Sequence, residues 1–113
     1  MATLGQKQKM FVRMIADLIM FAYEQGYELT FGDTFRDPRV HGKFGNKIGY
    51  SAARSVHKLK LACDFNLFVK GVYIQTSNHK AWDELHEYWE SIGGAKRIPN
   101  DANHFAVEHE GRR

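Results

Sequence analysis

Phe11, Met14, Ile15, Leu18, Ile19 and Ala22 recur at steps of three and four residues. That period puts them on one stripe and predicts an amphipathic helix over roughly residues 5–25, with Gly26 as its stop. The period then changes. Leu29, Phe31 and Phe35 fall on one face of residues 28–35, with Thr30, Gly32, Thr34 and then Arg36 on the other, which predicts a strand. Residues 37–50, DPRVHGKFGNKIGY, hold a proline, three glycines and an asparagine and predict a loop. A second strand spans 61–69, and KGVY turns it into a hairpin ending near Gln75. Trp82, Leu85, Trp89 and Ile92 mark a second helix, with Ser77 or Asn78 as its cap and Gly93-Gly94 as its stop. RIPNDAN reads as a loop and HFAVEH as a last short strand. This order predicts an α+β fold: a small antiparallel sheet with helices packed on one face.

Strand side chains alternate between faces. In SVHKLKLACDFNLF, Leu61, Cys63, Phe65, Leu67 and Val69 point one way, and Ala62, Asp64 and Asn66 point the other. A carboxylate set into such a strand is costly unless something pairs with it. On the last strand Phe105 and Val107 oppose His104, Ala106 and Glu108. If the apolar faces pack on the helices, Arg36, Asp64 and His104 emerge on the uncovered face, and His57 enters from the preceding loop. Two histidines and a carboxylate are a donor set that zinc accepts, leaving a fourth position for water. Asp101 lies three residues before His104, close enough in sequence to act on that water without being a ligand. Without further context the spacing is a weak signal, because the chain has six histidines and no HExxH helix.

Composition narrows the class. A chain of 113 residues reads as one domain, 1–113, able to bury a core without disulfides. Cys63 is the single cysteine, so an internal disulfide and a cysteine-based zinc finger are both excluded. Lys7, Lys9, Arg13 and Asp17 interrupt every early apolar run, so neither a signal peptide nor membrane insertion is expected. The formal charge of +3 favours an anionic partner.

SVHKLKLACDFNLF, YWESIGG and DANHFAVEHEG, together with FRDPRVHG upstream, resemble the LAS-type zinc peptidases. Among these the sequence is most similar to the phage endolysins that act as L-alanyl-D-glutamate peptidases, relatives of the D-alanyl-D-alanine carboxypeptidases. The likeness runs from about Gly32 to Arg113, on the pattern S-x-H-x6-D followed by D-x-x-H-F. It implies that His57, Asp64 and His104 ligate Zn²⁺ and that Asp101 is the catalytic acid/base. It implies that Arg36 lies over the site and steadies the substrate carbonyl or oxyanion, and that Ser55 supports substrate or ligands by hydrogen bonding. The implied fold has a zinc cleft on the sheet face away from the helices. The implied substrate is the peptide stem of bacterial peptidoglycan, cut at the L-Ala-D-Glu bond to lyse the host. A monomer is expected, made in the host cytoplasm and reaching the wall with the help of a holin. Lys60 stands where many relatives carry a glycine, Asp101 where the carboxypeptidases usually carry glutamate, and Ala106 where many carry glutamate or serine.

Three other readings compete: a D-alanyl-D-alanine carboxypeptidase, a zinc-stabilised structural domain without activity, and a small basic nucleic-acid-binding module. The last wants clustered basic and aromatic residues on one sheet face, whereas here the basic residues are scattered, so no nucleic-acid partner is expected. Each site residue also has a plain structural reading: Asp101 as a turn residue, Arg36 as a surface charge, Ser55 as a cap. His41, His79, His86 and His109 read as surface or supporting residues, Trp82 and Trp89 as core. Cys63 reads as a small buried hydrophobe.

Overall fold

A computed structural model describes residues 2–34 and 56–113. The expectations that fall on Phe35, Arg36, His41, Ser55 and the 37–50 loop lie outside these residues. The described chain forms two α-helices and a four-stranded antiparallel sheet, a mixed α+β fold. Among the described residues no helix is long and apolar enough to cross a membrane.

Helix α1, Leu4–Glu24, starts at Thr3. The Gln6 amide donates to Thr3 Oγ1, and the Thr3 amide donates to the Gln6 side chain. This reciprocal cap satisfies two amides that the helix itself leaves without partners. Phe11, Met14, Leu18 and Ala22 are buried, with Ile15 and Ile19 half-buried, as the periodicity predicts. Burial of a side chain such as Leu18 is worth roughly 1.5–3 kcal/mol. Gly26 ends the helix in the left-handed conformation, at φ 85°.

The strands are β1 (Tyr27–Phe31), β2 (Ala62–Val69), β3 (Val72–Tyr73) and β4 (His104–Ala106). β2 is the hub. β1 runs along one edge, and β3 and β4 share the other, each antiparallel to it. Lys70 and Gly71, both at positive φ, make the two-residue turn from β2 to β3. Helix α2, Lys80–Ser91, follows. Cys63 on β2 stands opposite Phe105 on β4. The Phe105 ring meets Trp82, His86 and Trp89 of α2, and Trp89 in turn meets Phe11 of α1 edge-on. This is the helix-covered face. Asp64 and His104, one position along their strands, project from the other.

Four local expectations change. The cap of α2 is His79, whose Nδ1 accepts the Ala81 amide, and not Ser77 or Asn78; Ser77 instead accepts the Ala102 amide. The first strand stops at Phe31 rather than at residue 35, because Gly32 and Asp33 together oppose Asp64 in a β-bulge. Phe31 is 64% exposed although it rests on Phe65. The last strand ends at Ala106: Val107 still donates to the Leu61 carbonyl, but the chain then turns through Glu110 and Gly111, both at positive φ.

Candidate metal centre

Three separate pieces of chain deliver His57, Asp64 and His104. Asp64 receives the Gly32 amide on its carbonyl and donates its own amide to the Asp33 carbonyl, both on the β1 side. It therefore faces His104 as the closer, non-hydrogen-bonded kind of strand pair, side chain beside side chain. The bulge is a tight fit that favours glycine at residue 32: a Cβ there would stand 3.1 Å from the Asp64 carbonyl oxygen and 3.2 Å from its Cβ. His57 comes from a single 3-10 turn, Val56–Leu59, and is 1% exposed. Lys60 closes that turn at φ 59°, the left-handed region that suits glycine.

The three ligand atoms form a nearly equilateral triangle. His57 Nε2 lies 3.2 Å from His104 Nδ1 and 3.2 Å from Asp64 Oδ1, and His104 Nδ1 lies 3.3 Å from Asp64 Oδ1. A tetrahedral ion with bonds of about 2.0–2.1 Å holds its ligands about 3.3–3.4 Å apart, so this triangle is the size of one face of such a site. The hold on His57 agrees, whereas His104 Nε2 is buried without a hydrogen-bond partner among the described residues. His57 Nδ1 lies 3.2 Å from the Thr34 carbonyl, which can only accept, so Nδ1 carries a proton and Nε2 is the nitrogen left to face an ion in the triangle. A histidine ligand held by a carbonyl on its far nitrogen is the usual supporting arrangement at metal sites. The buried triad can hold a metal ion.

The charge state suits that use. Burial alone would raise the Asp64 carboxyl, but hydrogen bonds from His104 and His57, with the charge on those rings, outweigh it and bring it down to about 2. Asp64 is thus ionised at neutral pH and ready to ligate. Next to it, burial first and the Asp64 charge second push the Cys63 thiol up to about 12. That leaves Cys63 a protonated, buried hydrophobe and removes it as a nucleophile.

Asp101 sits on the turn that enters β4. Its amide donates to the Ile98 carbonyl, and its own carbonyl accepts the His104 amide at 3.1 Å. Its half-buried carboxylate is not in the ligand cluster and has no hydrogen-bonding side-chain partner among the described residues. The structure thus keeps Asp101 out of the ligand set while tying its backbone to His104. Arg36 and Ser55 lie outside the described residues.

The sequence reading left His86 as a surface or supporting residue, and the structure shows it buried in support of the site. It is 2% exposed, its Nε2–H donates to the Ala102 carbonyl at 2.6 Å, and its ring stacks on Phe105 at 4.2 Å. It grips the chain on both sides of His104. Burial, the largest influence, drives its pKa down to about 4, so the ring is neutral and Nδ1 is left buried without a partner. Its position on the Trp82–Leu85–Trp89 stripe of α2 was the available signal. Arg97 adds a second clamp on the same loop, donating to Asp83 Oδ1 and to the Ser77 carbonyl.

No protein-family model matches the chain, and no curated protein matches it.

Proposed function

We propose that the chain is a zinc-dependent peptidase that hydrolyses the L-Ala-D-Glu bond in the peptide stem of bacterial peptidoglycan. The observation that carries this reading is the triangle of His57 Nε2, Asp64 Oδ1 and His104 Nδ1, with sides of 3.2–3.3 Å. Two imidazoles and one carboxylate leave a tetrahedral ion one open position, the pattern of catalytic rather than structural zinc. When bound, zinc supplies a Lewis acid and a water of lowered pKa. Asp101 takes a proton from the attacking water and returns it to the leaving amine as the C–N bond breaks. Ligation requires a free lone pair on each of His57 and His104 and an ionised Asp64. Arg36 steadies the carbonyl oxygen as it gains negative charge, and Ser55 supports this arrangement by hydrogen bonding. The roles of Arg36 and Ser55 rest on the sequence pattern alone. The net charge of +3 favours approach to an anionic wall.

The test is mass spectrometry of muropeptides after digestion of purified peptidoglycan. The expected products are stems that begin at D-glutamate and glycan strands that retain only L-alanine. Release of free D-alanine with intact stems would make the chain a carboxypeptidase. An unchanged digest with zinc-loaded protein would remove the peptidase reading.

A further inference from the structure

The sheet face that carries the metal triad continues past it. Asp64, Asn66 and Phe68 point to that face from β2. The residues directly opposite share it: His104 across from Asp64, Thr30 across from Asn66, and Glu28 and Tyr73 on either side of Phe68. Phe68 and Tyr73 lie ring against ring, with centroids 5.4 Å apart and planes 33° from each other. Tyr73 is 47% exposed and Phe68 half-buried, so together they form an aromatic shelf open to solvent. Neither ring belongs to the hydrophobic core.

Between the shelf and the triad the surface is polar. Asn66 is held by donating from its side-chain amide to Thr30 Oγ1 at 3.2 Å. Beside it, at the sheet edge between β3 and β4, lies a cavity of about 230 Å³ whose lining includes Tyr73, Asn66, Gln75, Asn100 and Asn103. Among the described residues no Asp, Glu, Lys, Arg or His lines it. Gln75 and Asn100 are exposed and Asn103 half-buried, and their side-chain amides make no hydrogen bond to another described residue. Each such amide offers donors and an acceptor at once. Glu28 puts an exposed carboxylate on the far side of Phe68.

We propose that the Phe68–Tyr73 shelf and the adjoining amide-lined cavity bind the uncharged glycan of peptidoglycan, the shelf covering one sugar ring and the cavity taking an acetamido arm. A pyranose ring is apolar on its faces, where C–H groups point, and polar at its rim of hydroxyls. An aromatic ring removes such a face from water, and side-chain amides pair with hydroxyl and acetamido groups. The site rests on the peptidase reading, which puts the scissile bond at the triad. Charge then decides which part of the substrate lies here. On one side of that bond the stem continues through D-glutamate and carries carboxylates. On the other side are L-alanine, a lactyl arm and the sugars, none of them charged. An uncharged cavity beside the carboxylate of Glu28 disfavours the first and suits the second. The lengths agree. Phe68 is four residues beyond Asp64, about 13–14 Å along an antiparallel strand. L-alanine and the lactyl arm, taken as two extended residue lengths, span about 7 Å. That brings the first sugar over Asn66 and its neighbour over Phe68 and Tyr73.

The experiment follows the ¹⁵N amide resonances of zinc-loaded protein during titration with N,N′-diacetylchitobiose, an uncharged acetamido disaccharide, and separately with cellobiose, which has the same linkage and no acetamido arm. The first sugar should shift the backbone amides of Val72 and Tyr73 and the side-chain amide of Asn66 saturably. Tyr73→Ala, a change at an exposed position, should weaken that binding about fivefold or more, and Tyr73→Trp should preserve it. Equal binding of cellobiose would overturn the role of the cavity. In turnover, Tyr73→Ala should raise the KM for peptidoglycan about fivefold and leave kcat, and the KM for a sugar-free stem peptide, unchanged. A KM that rises alike for both substrates would mark a general loosening of the site and overturn the glycan reading. A protein that cleaves the stem peptide but whose amides ignore the disaccharide would lose the glycan site and keep the peptidase. Saturable, Tyr73-dependent binding of the disaccharide by a protein that cleaves neither substrate would keep the glycan site and discard the peptidase.

Discussion

Helix α1 and the segment from Gly93 to Ala106 are held in opposite ways. α1 buries a stripe of Phe11, Met14, Leu18 and Ala22, and its stability is spread over that area. The later segment has almost no regular structure before β4 and is fixed by single contacts. Trp89 Nε1–H and the Ala95 amide both donate to the Ala106 carbonyl. His86 holds Ala102, Arg97 binds Asp83 and the Ser77 carbonyl, and Gly94 lies against the Trp89 indole. Burial by area tolerates small changes, whereas contacts through single atoms do not. The segment that needs those contacts is the one that carries Asp101 and His104.

The largest effect should be on rate. Asp101→Asn keeps the shape of the turn and removes a base whose contribution is typically about 10²–10⁴-fold. Peptidoglycan hydrolysis should fall by that order, with zinc content and thermal stability nearly unchanged. Loss of zinc would make Asp101 a ligand, and retention of full activity would pass the proton to another carboxylate.

Next is Gly94→Ala. A Cβ on residue 94 would overlap Trp89 Nε1, and the ring cannot move without giving up its bond to Ala106. One added methyl should cost about 3 kcal/mol or more, as much as removing most of a side chain by Leu18→Ala in α1, which should cost about 2–5 kcal/mol. Urea denaturation of both variants compares the two regions directly. A cost under about 1 kcal/mol for Gly94→Ala would show that the segment yields as readily as the helix.

His86 gives the segment a pH dependence that α1 lacks. Its folded pKa is near 4, below the ordinary 6.5. Between those values the unfolded chain binds a proton that the folded chain does not. Stability is therefore fully present above about pH 6.5 and falls as pH drops toward 4, by about 3 kcal/mol in all. His86→Phe keeps a ring against Phe105 and should flatten that part of the stability profile measured by denaturation at pH 7, 5 and 4. It also removes the donor to Ala102, so stability at pH 7 should fall by about 1 kcal/mol. An unchanged slope would mean that His86 does not stay neutral in the fold. Asp64, with its folded pKa near 2, contributes stability above its unfolded value that is lost only in stronger acid, and so does not mask this window.

The smallest effect concerns the turn that leads from His57 into β2. Lys60 sits at φ 59°, and Lys60→Gly should stabilise the protein by about 0.5–1 kcal/mol. Destabilisation would show that contacts of the lysine side chain outweigh its backbone strain.

What was legible in the sequence follows the same division. Periodicity places α1 to within a residue at each end, because an amphipathic helix is a local pattern. The alternation on residues 61–69 puts Asp64 and His104 on one face, and the register bears it out. What was missed depends on pieces of chain distant in sequence. The bulge at Gly32–Asp33 exists because Asp64 must be approached from β1. The second glycine of Gly93-Gly94 is needed for the Trp89 ring and not only as a helix stop. His79 caps α2 because Ser77 is engaged by Ala102, and the role of His86 appears only once Ala102 and Phe105 are folded against it.

The central claim is that His57, Asp64 and His104 hold a zinc ion, and elemental analysis of protein purified without added metal tests it most directly. The account predicts one zinc per chain, lost in His104→Ala, retained in Asp101→Asn, and released in acid as the histidines protonate. Zinc that stays far below one per chain and cannot be restored by adding it, or that remains fully bound in His104→Ala, would contradict it.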